Sequence, residues 1–509
     1  MRWLLAVAAA WTAFADTYPR QPGIDVQHYV FRLWLSDASD EIRGEATVRV
    51  RYTQDDTREL ALDLADTMTV DFVSAAYQRE PGRLRITAQG SREFTVRYHG
   101  KPAAGLRIGA NKYKDRTFYG LSWPHLAREW LPVLDHPYDK ATCEFVVTAP
   151  GRYQVVSNGL LEETRDLGDG TRLTHWKQSV PIATWLYTIG VAQFSRHYAG
   201  LVRGIPLETW VYYQDAAQGP NVFEPAARRA IEFFSDRVGP YAYEKLANVE
   251  AVGLTGGAEH ASAILYGEDV LAGKRPTDSL IAHEIAHQWF GNAVTESDWD
   301  DVWLSEGFAT YFSLLYTEHY EGRDAFVAGL QRARRVAGEA RKKAPDQPIL
   351  HRNLADPAQV LNPFVYQQAA WVLHTLRGVM GDGKFWAGIR AYYARYRNGN
   401  ATTDGFRQVM EEQVNEDLRW FFDQWLRRPG WPVVKLRWHH EGRRLILELT
   451  QTQPGEAYRL PLEIAVDGRS ERFEMRSKSE RFEVALEKAP RSVALDPHFR
   501  VLMDPFPQK

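Results

Sequence analysis

The sequence of 509 residues predicts a multidomain α+β chain in three parts. Three observations predict it. Short runs alternating apolar and polar residues fill the stretch from Val26 to about Gln193, the period changes to a helical one between about 199 and 428, and it returns to two after Pro429-Gly430-Trp431-Pro432. A large N-terminal β-domain is expected over 16–198, a mostly helical domain with a small sheet at its front over 199–428, and a small β-sandwich over 429–509. Hydrophobic residues make up 44%, charged residues 25%, the formal net charge is -3 and the pI is about 6.6. This is an ordinary globular balance without the basic excess of a polyanion binder, so nucleic acid is not an expected partner.

Met1-Arg2, the apolar run Trp3 to Trp11, and Ala13-Phe14-Ala15 before Asp16 read as a signal peptide over 1–15. The run is too short for a comfortable membrane span, and no later segment reaches spanning length without charges. An exported mature chain, periplasmic or extracellular and without a membrane span, is expected to begin near Asp16. Cys143 is the only cysteine, so no intramolecular disulfide can form. Its place in the strand-like Thr142 to Val147 suits a buried small apolar side chain.

Within the first part, Ala46, Val48, Val50 and Tyr52 alternate with Glu45, Thr47, Arg49 and Arg51, as in a half-buried strand. Leu60 to Leu64, Phe94 to Tyr98 and Cys143 to Val147 continue the series. Leu121 to Pro137, rich in aromatics and prolines, lacks a strand period and reads as a packed connecting loop.

In the second part, Leu207 to Tyr213 reads as a strand and Pro225 to Val238 as an amphipathic helix. Gly256-Gly257-Ala258-Glu259-His260 suits a strand edge that another backbone approaches closely, or a bulge or hairpin turn. Then comes the stretch around which the chain is organised, His283-Glu284-Ile285-Ala286-His287, followed by Trp303-Leu304-Ser305-Glu306. Thr277-Asp278-Ser279 supplies capping oxygens, and Gly291-Asn292 is a stop signal, so a helix carries the first motif. Residues four apart share a helix face, so His283 and His287 can offer ring nitrogens to one ion while Glu284 points into the same space. Glu306, in the first turn of a second helix from about Trp303 through Tyr316, is the natural third ligand. Two imidazoles and a carboxylate leave a fourth position open on one zinc ion per chain, whereas structural zinc sites are closed by four ligands. Further helices are expected over Tyr366 to Gly378, Phe385 to Tyr396, Thr403 to Val414 and Asp417 to Trp425. In the third part, Glu441-Gly442 and Asp467-Gly468 mark hairpins, and His439 and His440 beside a turn are expected to be solvated.

These residues resemble the aminopeptidase N type of gluzincin zinc metallopeptidases. His283-Glu284-x-x-His287 and Glu306, with the flanking Gln288-Trp289-Phe290-Gly291-Asn292 and Gly307-Phe308-Ala309, are similar to its metal signature. Gly256 to His260 looks like its exopeptidase motif, and Tyr366 with Val372 to Arg377 looks like its transition-state tyrosine region. The resemblance extends from Ile24 to the small sandwich and implies a thermolysin-like catalytic domain between the two β parts. It implies substrate binding by Gly256, Gly257, Ala258, Glu259 and His260, catalysis by Glu284 and Tyr366, and peptides with a free N-terminus as substrates. Four departures stand out. His260 replaces an asparagine and Ala258 a methionine. Trp123 stands where a polar anchor is usual, which suggests that it lines the first specificity pocket. Ser313 stands where a glutamate commonly orders the metal site. The chain also ends without the large helical domain of many relatives, so a more open cleft is expected.

The expected function is zinc-dependent hydrolysis of the N-terminal peptide bond through an activated water. The alternatives are an endopeptidase, which would have no need of Glu259, an epoxide hydrolase on the same scaffold, and a non-catalytic zinc-containing binding protein, in which Glu284 would have no purpose.

Overall fold

The computed structural model describes residues 16–273, 277–351 and 354–505. The expected signal peptide lies outside the described residues. The first part is built on a seven-stranded sheet with Ile24–Trp34 near its middle, parallel to Lys140–Pro150 and antiparallel to Ile42–Tyr52. Ala141, Cys143, Phe145, Val147 and Ala149 are all buried, every second residue of their strand, which is why one face closes over the core. A four-stranded and a three-stranded sheet complete this part. The aromatic loop is packed as expected, with Trp130, Leu131, Val133 and Leu134 buried and Arg128 Nε donating to Asp135 at 3.0 Å.

The second part opens on a five-stranded sheet in the order Phe194–Val202, Ile205–Tyr212, Leu246–Ala251, Ala263–Gly267, Gly257–Ala258. The boundary expected at 198/199 falls inside the first of these strands, which pairs with Ile205–Tyr212. The two-residue Gly257–Ala258 strand is an edge, antiparallel to Ala263–Gly267. This part also contains helices α1 (Gly219–Arg237), α2 (Thr277–His287), α3 (Trp303–Glu321), α4 (Arg323–Lys343), α5 (Ala369–Met380), α6 (Asp382–Tyr396) and α7 (Thr403–Val414), of which α1 and α2 pack on strands of the sheet. Helix α1 starts before the expected Pro225, because Pro220 occupies its first turn and Pro225 is carried inside it. The helix expected from Tyr366 is replaced at its start by a π-helical turn, Phe364–Gln368, which runs into α5. A second π-turn, Asp423–Arg427, follows the short helix Arg419–Phe422.

The third part has a four-stranded and a three-stranded sheet. Asp467 (φ 47°) and Gly468 (φ 82°) join Leu460–Val466 to Arg469–Met475 in the two-residue hairpin that a double positive φ permits. His439 is exposed, and His440, half-buried, donates from Nε2 to the Leu486 carbonyl at 2.9 Å.

Candidate metal centre

Helix α2 buries Ile281, Ala282, Ile285 and Ala286, and this packing holds its opposite face, with His283, Glu284 and His287, toward a cleft. Helix α3 is packed against it and presents Glu306 from its first turn. The three ligand atoms converge. His283 Nε2 and His287 Nε2 are 3.2 Å apart, and Glu306 Oε2 lies 3.3 Å from His287 Nε2 and 3.6 Å from His283 Nε2. Zinc bonds of about 2.0–2.1 Å at tetrahedral angles put ligand atoms roughly 3.3 Å from one another, so the donor set and its spacing fit one zinc ion. Glu306 Oε2 is buried and faces the two imidazole nitrogens alone, as befits an oxygen reserved for a cation that they share.

The orientation of His287 is set from behind. Its Nδ1 is 3.2 Å from the Phe290 carbonyl and 3.1 Å from Ser305 Oγ. A proton on Nδ1 donated to the carbonyl leaves the Nε2 lone pair facing the metal position. Gly291, at φ 108°, permits this approach, since a Cβ there would collide with Ser305 Oγ. Ser313 Oγ instead donates to the Thr310 carbonyl at 2.9 Å, so it takes no part in holding His287. Ser305 was not singled out from sequence, and its signal was its place directly before Glu306.

Two glutamates surround this triad. Glu284 packs on the edge strand so closely that a Cβ on Gly257 would overlap its carboxylate. A side chain at 257 would therefore make the Glu284 carboxylate or the strand shift. Glu259, 8% exposed, lines the cleft, and its Oε1 has no hydrogen-bond partner among the described residues. Its backbone is fixed by α2's C-terminal flank: Gln288 Nε2 at 2.9 Å and Asn292 Nδ2 at 2.6 Å both donate to the Glu259 carbonyl. Gln288 Oε1 accepts from Ser262 N at 2.9 Å, tying the far side of the same turn. Ala258 and His260 do not line the cleft. His260 is buried with its Nδ1 3.4 Å from the Ala258 carbonyl, and burial pulls its imidazole down to about 4, so it is neutral.

The cluster is rich in negative charge. Burial alone would lower His287, yet Glu259, Glu306 and Glu284 raise it to about 10. Burial raises Glu284 well above the usual carboxylate range, opposed by His287 and reinforced by Glu259 and Glu306. Burial would raise Glu306 too, but His287 and His283 hold it down at about 2. A divalent cation would relieve this crowding.

Tyr366 sits in the π-turn, its ring stacked near His283 with centroids 6.3 Å apart. Burial and the carboxylates of Glu306, Glu259 and Glu284 keep its hydroxyl protonated. The cleft measures about 750 Å³ and is lined by Glu259, Tyr366, the triad, Leu280 and, on α3, Ser313, Leu314 and Thr317. Eleven residues of α3 separate Glu306 from Thr317, roughly 16 Å at 1.5 Å per residue. That length takes roughly four or five extended residues. Trp123 is not among the lining residues. Its half-buried ring packs edge-on against Trp299, centroids 5.7 Å apart, which gives the aromatic a packing partner in place of the expected pocket wall.

Comparison with known proteins follows the same partition. Residues 25–186 match the model of the peptidase M1 N-terminal domain, and residues 225–425 match that of the peptidase family M1 domain. Aminopeptidase A of Gloydius brevicauda is 29% identical over 474 residues, covering 84% of this chain and 48% of that protein. The chain thus spans about half the length of that curated relative. Legionella pneumophila aminopeptidase A, solved in complex with aspartic acid, superposes with a TM-score of 0.84 at 15% identity, over 97% of this chain and 61% of that one. The M1 zinc metallopeptidase of Deinococcus radiodurans superposes with a TM-score of 0.70 at 24% identity, over 81% and 95%. At these identities the superpositions speak for the fold.

Proposed function

The chain belongs to peptidase family M1, and on that premise we propose that it is a zinc-dependent aminopeptidase, holding one zinc ion on His283, His287 and Glu306. The observation that carries this reading is the convergence of three ligand atoms at 3.2–3.6 Å beside two further glutamates on an open cleft. Bound zinc supplies Lewis acidity toward water and the scissile carbonyl. Glu284 takes the attacking water's proton and returns it to the leaving amine. Tyr366 donates its O–H to the oxyanion that develops as the carbonyl carbon becomes tetrahedral.

Glu259 makes the enzyme an exopeptidase. Its Oε1, without a partner among the described residues, suits the substrate's α-ammonium by a charge-assisted hydrogen bond, and the rest of the peptide would lie along the cleft wall formed by α3. The free edge of Gly257–Ala258 offers main-chain groups to an extended peptide. An endopeptidase would have no use for this carboxylate, and a structural zinc site would not keep an open face. The leader-like residues 1–15 support export to the periplasm or outside the cell. Among the described residues no helix is long and apolar enough to cross a membrane.

The test is a panel of fluorogenic aminoacyl and peptide substrates, free or N-acetylated, with acidic first residues included because relatives carry the names aminopeptidase A and glutamyl aminopeptidase. Cleavage confined to free amines, and lost on chelation, is expected. Efficient internal cleavage of N-acetylated peptides would favour the endopeptidase alternative.

A further inference from the structure

The backbone nitrogen of Asp16 lies 3.0 and 3.1 Å from the two carboxylate oxygens of Asp298. Both residues are buried, at 9% and 5% exposure. The Asp16 carboxylate in turn contacts His136 Nε2 at 2.8 Å and accepts from Tyr18 N at 3.0 Å and Trp299 N at 3.3 Å. Arg20 reaches Asp298 Oδ2 at 2.6 Å. Two buried carboxylates therefore share one guanidinium and one imidazole. Burial, with Asp16 next, pushes the Asp298 carboxyl above its ordinary range, which marks it as short of positive charge. A peptide nitrogen has a single proton to divide between two oxygens, whereas an α-ammonium has three protons and a full charge.

The position of this contact matters. Asp298 Oδ1 also accepts from Asp300 N at 2.9 Å, capping the turn Trp299–Asp301 that leads through Val302 into α3 and Glu306. The segment that starts at Asp16 is tied to the N-terminal sheets, where Tyr18 donates to Asp63 Oδ2 at 2.5 Å. The residues before Asp16, Ala13-Phe14-Ala15, have the small-x-small pattern of a leader cleavage point.

We propose that hydrolysis of the Ala15–Asp16 peptide bond frees an α-ammonium that pairs with Asp298, and that this buried pair fixes the turn delivering Glu306 to the metal. The inference rests on the export reading above. Water provides the hydroxyl to the Ala15 carbonyl and a hydrogen to the Asp16 nitrogen, which takes one more proton from solvent. Arg20 and the new ammonium then face Asp16 and Asp298, two cations against two anions.

The test compares the zinc-loaded chain starting at Asp16 with the same chain carrying one extra alanine in front, each with and without Asp298→Asn. The extension should speed zinc loss to a chelator about tenfold, the difference between a charge-assisted and a neutral hydrogen bond. It should also lower the apparent melting temperature, and both effects should vanish in the Asp298→Asn background. Equal zinc loss and melting for the two starts would overturn the ion pair. If Asp298→Asn does not fold, acylation of the Asp16 amine decides: slow labelling in the native chain and fast labelling in denaturant supports the pair, and fast native labelling refutes it. The intact mass of the exported chain tests the cleavage separately, since a first residue other than Asp16 overturns the processing step whatever the engineered Asp16 start shows.

Discussion

In the proposed mechanism each side chain of the centre carries a separable task, and single substitutions read them apart. Glu284→Gln removes the base and leaves the three ligands, so one zinc per chain should remain while turnover collapses. Metal analysis beside kinetics checks it, and wild-type turnover would remove Glu284 from the chemistry. Tyr366→Phe removes one oxyanion donor, typically about 3 kcal/mol of barrier or roughly a hundredfold in kcat, with KM little changed. An unchanged kcat would return Tyr366 to packing. His287 gives a prediction in protons. Without metal its imidazole is held at about 10 by burial-opposed carboxylates, so it is charged near neutral pH and must lose that proton before Nε2 can ligate. Zinc uptake by the apoprotein near pH 7.5 should release about one proton or more, and affinity should fall as pH falls. Calorimetry in buffers of different ionisation enthalpy measures this, and no buffer dependence would contradict it. These ligand positions were legible in sequence because a four-residue spacing fixes a helix face. Ser305 and the Phe290 carbonyl were not, because their contact with His287 depends on how the chain turns at Gly291.

At the level of elements, the edge strand and α2 are shaped to each other. The paired glycines suggested close backbone approach, and the structure shows what approaches Gly257: the Glu284 carboxylate. Gly257→Ala should therefore displace the base or the strand. An activity loss with zinc content unchanged is expected, and a fully active Gly257→Ala variant would show that the strand yields without cost. The alternating strands of the first part were readable because one-sided burial imposes a period of two. The π-turn at Phe364–Gln368 was not, since a single wide turn leaves no mark on hydrophobic spacing, although it places Tyr366 at the cleft. Trp123 shows a second kind of contact that sequence does not reveal. Its position in the motif suggested a pocket, but its contact with Trp299 comes from a distant part of the chain that periodicity cannot reveal.

Across the whole molecule, the N-terminal part reaches into the catalytic part through Lys140. Its Nζ donates to the carbonyls of Asn292, Ala293 and Gly399 at 2.9, 3.1 and 3.2 Å. Three donors of an ammonium meet three acceptors: Asn292 and Ala293 directly precede the strand Val294–Glu296, and Gly399 opens its parallel partner Gly399–Ala401. Asn292 is also the residue whose side chain holds the Glu259 carbonyl, so one lysine from the first sheet steadies the peptide group behind the proposed amine anchor. Lys140→Met keeps the length of the side chain and removes all three bonds; Thr295 Oγ1 still donates to the Asn292 carbonyl at 2.9 Å and Asn398 N to the Ala293 carbonyl at 2.7 Å, so what is lost is the tie between the two parts. The variant should melt at a lower temperature and raise KM for free-amine substrates more than it lowers kcat, because Glu284 and the ligands are untouched. A variant with wild-type melting and wild-type KM would mean that the two parts position Glu259 without this lysine, leaving Gln288 and Asn292 to hold the anchor from α2's flank alone.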